Sequence, residues 1–421
     1  MNKAGGTMNN DGCVLISGAG IGGLALAYWL RHHGFTPTVV DRATGLRSGG
    51  QAVDIRGKAR DVVDRMGILP QIRSHHTGTR GIVLLDDQGQ RLTEMDNEVF
   101  GDSGGIVADL EILRDDLVRL LHHAAGGDVD YRFDDTVTAM SQTDHGVTVE
   151  FDRSRTEAFD VVVGADGIHS NVRNLGFGSG SRFVRDLGYD VAFYRARAPM
   201  DLKGWELMYN LPAANGVGGR AAVLYPVGED GDLRVMLIVV APPSDLHRRE
   251  LADQKDVLQQ AFAGAGELLP GLLEQLTETD DLYVSRPGAV QVDRWSRGRT
   301  VLLGDSAFGG SIGMGTSMAL VGAYVLAGEL ATAAGDHHRA FDAYEDTMRA
   351  YVRAGQQRPP GGARMMAPRS RAGIWLRAQS MRLMTTVPGG HKLMGDLAGT
   401  ANRVEIKSYP RHRAEKPESS R

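Results

Sequence analysis

The chain has 421 residues, of which 42% are hydrophobic and 24% charged, and it carries a net charge of −5. That length allows two or three domains, and the charge balance gives no basic surface to recommend a nucleic-acid partner. Its one cysteine, Cys13, excludes an internal disulfide framework and any Cys-based zinc cluster.

Met1 to Gly6 shows no apolar segment of a signal peptide. The longest apolar stretch, 318–330, is interrupted by Glu329 and falls short of the ~20 residues of a membrane span. A cytoplasmic protein with no membrane partner is the expectation. The 55 glycines are nearly twice the ordinary share of about 7% and cluster in a few loops, which is where function is to be sought.

Cys13-Val14-Leu15-Ile16-Ser17 reads as a buried strand. Gly18-Ala19-Gly20-Ile21-Gly22-Gly23 follows at once, then a helix over 24–33 closed by Gly34. Residues 38–41 form the next strand, so the chain opens with a βαβ unit. Residues 58–66 look helical, and 81–85 with 91–95 read as a hairpin about Gln88-Gly89-Gln90. An amphipathic helix is expected over 111–123, and two alternating strands over 129–159. Val161-Val162-Val163 is a fully apolar strand ending in Gly164-Ala165-Asp166-Gly167. Between 181 and 290 the pattern changes to an antiparallel sheet, with strands at 190–198, 206–211, 221–227 and 233–240. Helices follow at 245–263 and 267–276. Residues 300–303 return to the buried-strand pattern and end in Gly304-Asp305; a small-residue helix spans 315–334. The rest is helical, broken at Pro359-Pro360 and Pro388-Gly389, and the polar tail 411–421 reads as disordered.

Gly18, Gly20 and Gly23 occupy the G-x-G-x-x-G positions between a strand and a helix. The first permits the tight turn, the second lets backbone approach a pyrophosphate, and the third lets helix and strand pack closely. Asp41 ends the second strand, placed to accept hydrogen bonds from a ribose. This fingerprint serves FAD, NAD and NADP alike. Two later segments, 161–173 and 301–330, each set an Asp beside glycine at the C-terminal end of an apolar strand, where ligands of open α/β sheets bind.

The run Gly164-Ala165-Asp166-Gly167-Ile168-His169-Ser170-Asn171-Val172-Arg173, with the Gly-Asp at 304 and 305, resembles the class A flavoprotein monooxygenases. That family includes para-hydroxybenzoate hydroxylase; within it the nearest look is to tetracycline-inactivating and antibiotic-tailoring enzymes. The resemblance covers about residues 12–335. It implies an α/β fold: a discontinuous Rossmann-like FAD-binding domain (11–75, 100–180, 281–335), an inserted antiparallel-sheet substrate domain (76–99, 181–280), a C-terminal helical region (336–410) and the tail. It further implies that Asp41 binds the adenosine ribose, that Gly304 and Asp305 contact the pyrophosphate and ribityl chain, and that Arg114 and Asp54 touch FAD. Arg47 is implied for NADPH, Arg42 beside Asp41 for cofactor binding, and Asp166 and Arg173 for both nucleotides. The helix starting near Gly315 aims its dipole where negative flavin charge would sit. One departure is the loop 308–315, about two residues shorter than the family pattern and without proline.

The implied reaction uses FAD with NADPH or NADH as transient cosubstrate, and O2. A flavin C4a-hydroperoxide transfers one oxygen to an aromatic or polyketide-like molecule. Baeyer–Villiger or epoxidising chemistry on the same scaffold, or a non-oxygenating flavoprotein, are the alternatives. No metal and no side-chain nucleophile is called for. Met208, Val223, Tyr225 and Met236 of the sheet, and Phe308, are candidate substrate contacts. The paired histidines at 32–33, 75–76, 122–123 and 337–338 read as surface residues, and the C-terminal methionines as helix packing. A monomer or homodimer is expected.

Overall fold

A computed structural model of the chain describes residues 12–46, 51–96, 110–178, 182–227, 231–240, 246–266, 268–357, 366–386 and 396–410. Arg47 and the tail 411–421 lie outside these residues.

The first layer is a six-stranded sheet in the order Ser296–Arg297, Thr300–Leu302, Val161–Gly164, Cys13–Ser17, Thr36–Asp41, Asp130–Phe133. All pairings but the first are parallel. Val14, Leu15, Ile16, Val162 and Val163 have no exposed surface, as strands covered on both faces require. The Ile21–His32 helix packs against Gly315–Thr332. The latter is buried from Ser317 to Leu330 without a break, as a core helix is, and the one charge in that stretch, Glu329, is paired with Lys407 at 2.7 Å. Small residues bring the pair together: a Cβ on Gly22 would stand 3.6 Å from that of Ala319.

The second layer is a seven-stranded sheet ordered Tyr283–Ser285, Tyr189–Arg197, Asp232–Val240, Arg220–Val227, Trp205–Leu211, Gly81–Leu85, Arg91–Asp96. The early hairpin thus joins the middle of the chain, with Gly81–Leu85 running parallel to Trp205–Leu211. Strand alternation splits its side chains into two sets. Leu207, Leu224, Val235 and Tyr194 pack in a core with Phe262, Leu272 and Leu276 of the helices Leu251–Phe262 and Leu269–Glu278. On the opposite face Leu84, Met208, Val223, Met236 and Phe193 form one cross-strand row.

Three expectations change. Residues Glu111–Leu113 are a strand paired with Ala52–Asp54, and the helix begins only at Arg114. A short ribbon formed by distant chain segments overrides the helical pattern there. Residues 129–159 hold four strands, not two; the first joins the parallel sheet and the other three make a sheet of their own. His33 and His337, read as surface residues, are buried. His33 Nδ1 meets the Pro410 carbonyl at 3.0 Å, and burial pulls the His337 imidazole down to about 4.

Candidate active site

The glycine turn is built by contacts that exclude a side chain. Gly18 has φ +112°, and a Cβ there would lie 2.4 Å from the Ala165 carbonyl oxygen. A Cβ on Gly23 would lie 1.9 Å from the Gly18 carbonyl oxygen. At Gly20 a Cβ would meet nothing within 4 Å among the described residues. The turn is therefore closed behind and open in front. The helix that follows has no acidic residue in its first turn and no side-chain cap, which leaves its positive end for an anion. Asp41 braces the turn: one carboxylate oxygen accepts the Ala19 N–H at 2.8 Å, the other that of Ala43 at 2.8 Å. Arg42, just beyond, is exposed.

Asp166 is drawn inward. It accepts the Ser170 hydroxyl, the Ser306 hydroxyl at 3.2 Å and the N–H groups of Asn171 and Val172 at 2.7 and 3.1 Å. Arg173 is 1% exposed and donates to the carbonyls of Ser306 (2.9 Å) and Ile168 (2.6 Å). The pair ties the Gly164 loop to the start of the Asp305–Phe308 helix. That accounts for the sequence motif through loop packing, with both Asp166 oxygens taken up inside the chain.

Asp305 is the opposite case. It is exposed, while Gly304, Ser306 and Ala307 around it are buried. Surrounding protein still desolvates its carboxyl enough to raise it above the ordinary range, against the pull of Arg114. Accessible yet deep, Asp305 lines a recess. Gly315 borders it, its Cβ position 4.0 Å from an Asp305 oxygen. Gly304 takes φ +64° to make the turn. Arg114 opens its helix with its N–H on the Gln51 carbonyl at 3.1 Å. The open glycine cradle, the anion-ready helix end and this recessed carboxylate fit an extended dinucleotide such as FAD.

Asp54 lies near the recess's far end, one oxygen 3.5 Å from the Cβ position of Gly313. Arg56 holds it by an ion pair at 2.6 Å. Beyond it sits a group that sequence reasoning missed. Glu111, buried, accepts the hydroxyls of Thr77 at 2.6 Å and Thr79 at 2.9 Å. Burial, with Asp54 adding, pushes its carboxyl up to about 7. Glu206, also buried, is raised well above the carboxylate range by burial and by Glu111 and Asp54. The one sequence signal for Glu206 is a lone charge in Trp205-Glu206-Leu207-Met208.

Of the candidate substrate contacts, Met208, Val223 and Met236 fall in the single apolar row. Tyr225 falls in the next row, opposite Arg234. Phe308 does not join them: it is 2% exposed and its ring centre lies 5.0 Å from that of Trp295, tilted by 51°, in the main core, because its short helix turns the ring inward. Met366 and Met381 of the C-terminal region pack on the same sheet face as the row. Among the described residues no His, Cys, Asp and Glu cluster could hold a metal, and no helix is long and apolar enough to cross a membrane.

Comparison with known proteins agrees with this geometry. A family described as FAD binding domain matches residues 11–358. An uncharacterised Mycobacterium tuberculosis protein is 38% identical over 363 residues, covering 83% of this chain and 94% of its own. A flavin-dependent monooxygenase from an unknown prokaryotic organism is 34% identical over 348 residues, covering 82% of this chain and 87% of its own. Among solved structures, tetracycline destructase Tet(51) superposes with a TM-score of 0.77 at 30% identity, covering 96% of this chain and 100% of its own. The chain belongs to the FAD-binding family of class A flavin-dependent monooxygenases.

Proposed function

We propose that this enzyme uses FAD, NAD(P)H and O2 to insert one oxygen atom into an aromatic or polyketide-like small molecule, in antibiotic modification or secondary-metabolite tailoring. The observation that carries the reading is the apolar row Leu84–Met208–Val223–Met236–Phe193, on the sheet face opposite the helices Leu251–Phe262 and Leu269–Glu278. A flat apolar body lies well against such a row, and the row keeps water from the reacting centre.

In this reading Gly18, Gly20 and Gly23 cradle the pyrophosphate and Asp41 holds the adenosine ribose. Asp305, with Arg114 beside it, holds the middle of the cofactor, and the Gly315 helix end faces its anionic ring edge. Arg42, exposed after the second strand, and Arg47 attract NAD(P)H, which has no second glycine fingerprint and so binds transiently. Bound FAD supplies hydride acceptance and O2 activation. The chain orients the substrate and excludes solvent. The discontinuous FAD domain with its inserted sheet domain, and a cytoplasmic setting supplied with NAD(P)H, go with this reading.

The purified yellow protein is expected to consume NADPH and to place label from ¹⁸O₂ in the product. Flavin reduction that yields only peroxide would count against oxygen transfer. Asp305→Ala is expected to purify with most of its flavin lost, measured as visible absorbance per protein; full occupancy would remove Asp305 from the contacts.

A further inference from the structure

Beside the apolar row runs a polar one. Glu206 lies opposite Ile82, one step beyond the Leu207–Leu224 pairing; Tyr225 lies opposite Arg234, and Arg234 opposite Arg195. The two arginines are engaged with Asp115 of the Arg114–Ala125 helix, at 3.8 and 3.6 Å. Glu206 and Tyr225 are differently placed. Glu206 is 7% exposed and makes no hydrogen bond among the described residues, not even with Glu111, whose accessible partners are Thr77 and Thr79. The Tyr225 hydroxyl is buried against the Ala52 backbone but short of hydrogen-bond geometry. A buried hydroxyl left without a partner, as on Tyr225, costs about 1–3 kcal/mol unless a ligand completes it, and the Glu206 carboxyl lies beside it in the same row.

We propose that Glu206, with Tyr225 beside it, selects and orients the substrate by hydrogen bonding a phenolic or enolic hydroxyl at one edge of an otherwise apolar ring system. The assignment rests on the monooxygenase reading above and names the substrate edge that its chamber takes. Glu206 lies two residues along the strand from Met208, on the same face as the Met208–Val223 pair, so a ring body on the apolar row brings its edge to Glu206. Burial, with Glu111 and Asp54 close by, raises the Glu206 carboxyl well above the ordinary carboxylate range and so favours its neutral form. A neutral carboxyl offers one donor and one acceptor together, which matches a hydroxyl that both gives and takes a hydrogen bond. A charged carboxylate would instead repel the anionic form of such a substrate. A site built to pair a hydroxyl rejects the analogue that lacks it far more strongly than an apolar wall does.

The test uses the FAD-loaded enzyme, with 2-naphthol and 2-methoxynaphthalene as probes and calorimetric titration as the readout. The wild type is expected to bind the naphthol about tenfold or more tightly than its methyl ether. Glu206→Leu is expected to abolish that preference while keeping its affinity for the ether, and Glu206→Gln to keep part of it. Flavin content, measured on each variant, reports folding. Equal wild-type affinities, no binding of either probe, or an unchanged preference in a flavin-replete Glu206→Leu would each overturn the assignment. All three leave the flavin reading intact, since that is tested separately by NADPH consumption and label transfer.

Discussion

Gly23→Ala is expected to yield a colourless protein that has lost about 3 kcal/mol or more of stability. The added methyl would lie 1.9 Å from the Gly18 carbonyl oxygen and 3.2 Å from Ile16 Cγ2. A flexible side chain can swing aside, but backbone held from two directions cannot. The Gly18 N–H is fixed to the Val40 carbonyl at 2.7 Å, and its α-carbon is backed against Ala165. Relief therefore requires the helix Ile21–His32 to move off the sheet, away from Gly315–Thr332 and out of the cradle. Gly20→Ala is the control. Its methyl meets nothing within 4 Å, so the apoprotein should melt as the wild type does while FAD affinity falls. Thermal unfolding and flavin content of both variants separate the two effects. A yellow, wild-type-stable Gly23→Ala would contradict the packing argument.

Glu111→Gln is expected to stabilise the protein at pH 8 and to cost it about 1 kcal/mol near pH 4.5. The Glu111 carboxyl is pushed up to about 7 by burial, with Asp54 adding, against the Thr77 and Thr79 hydrogen bonds and Arg56. Below its unfolded value both states hold the proton and nothing is gained or lost. Between that value and about 7 the folded chain keeps a proton that the unfolded chain releases. The resulting stability is lost as pH rises through the folded value, on the order of 3 kcal/mol in all. Glutamine is neutral at every pH and keeps a carbonyl for the two threonine hydroxyls. Its advantage at pH 8 is therefore that amount, less about 1 kcal/mol for imperfect hydrogen bonds. Urea unfolding at the two pH values reads it directly, and parallel curves for both proteins would refute it.

The same cluster shows where legibility stopped. The glycine spacing at 18, 20 and 23 could be read directly because Gly18 and Gly23 answer local steric demands and Gly20 leaves the front of the turn open, and those features travel with the motif. Met208, Val223 and Met236 could be read as one wall from strand alternation, since a period of two leaves little choice of face. Glu111 was invisible as a functional residue, because its segment pairs with a strand about sixty positions earlier and not with its own helix. Phe308 was misplaced because nothing local says which way a one-turn helix turns its ring.

By itself the sequence determined that this is an α/β protein with a dinucleotide turn, a later antiparallel sheet and the motifs of a flavin-dependent family. Those features are short-range: turn sterics, apolar periodicity and strand-end acids are written within a few residues of one another. Only the tertiary structure decided that Asp166 and Arg173 brace two loops, that Asp305 stands open in a recess, and that Asp54, Glu111 and Glu206 share one buried neighbourhood. Burial and mutual charge set whether a carboxyl is a strut, a ligand contact or a neutral acid, and both depend on partners brought from distant parts of the chain.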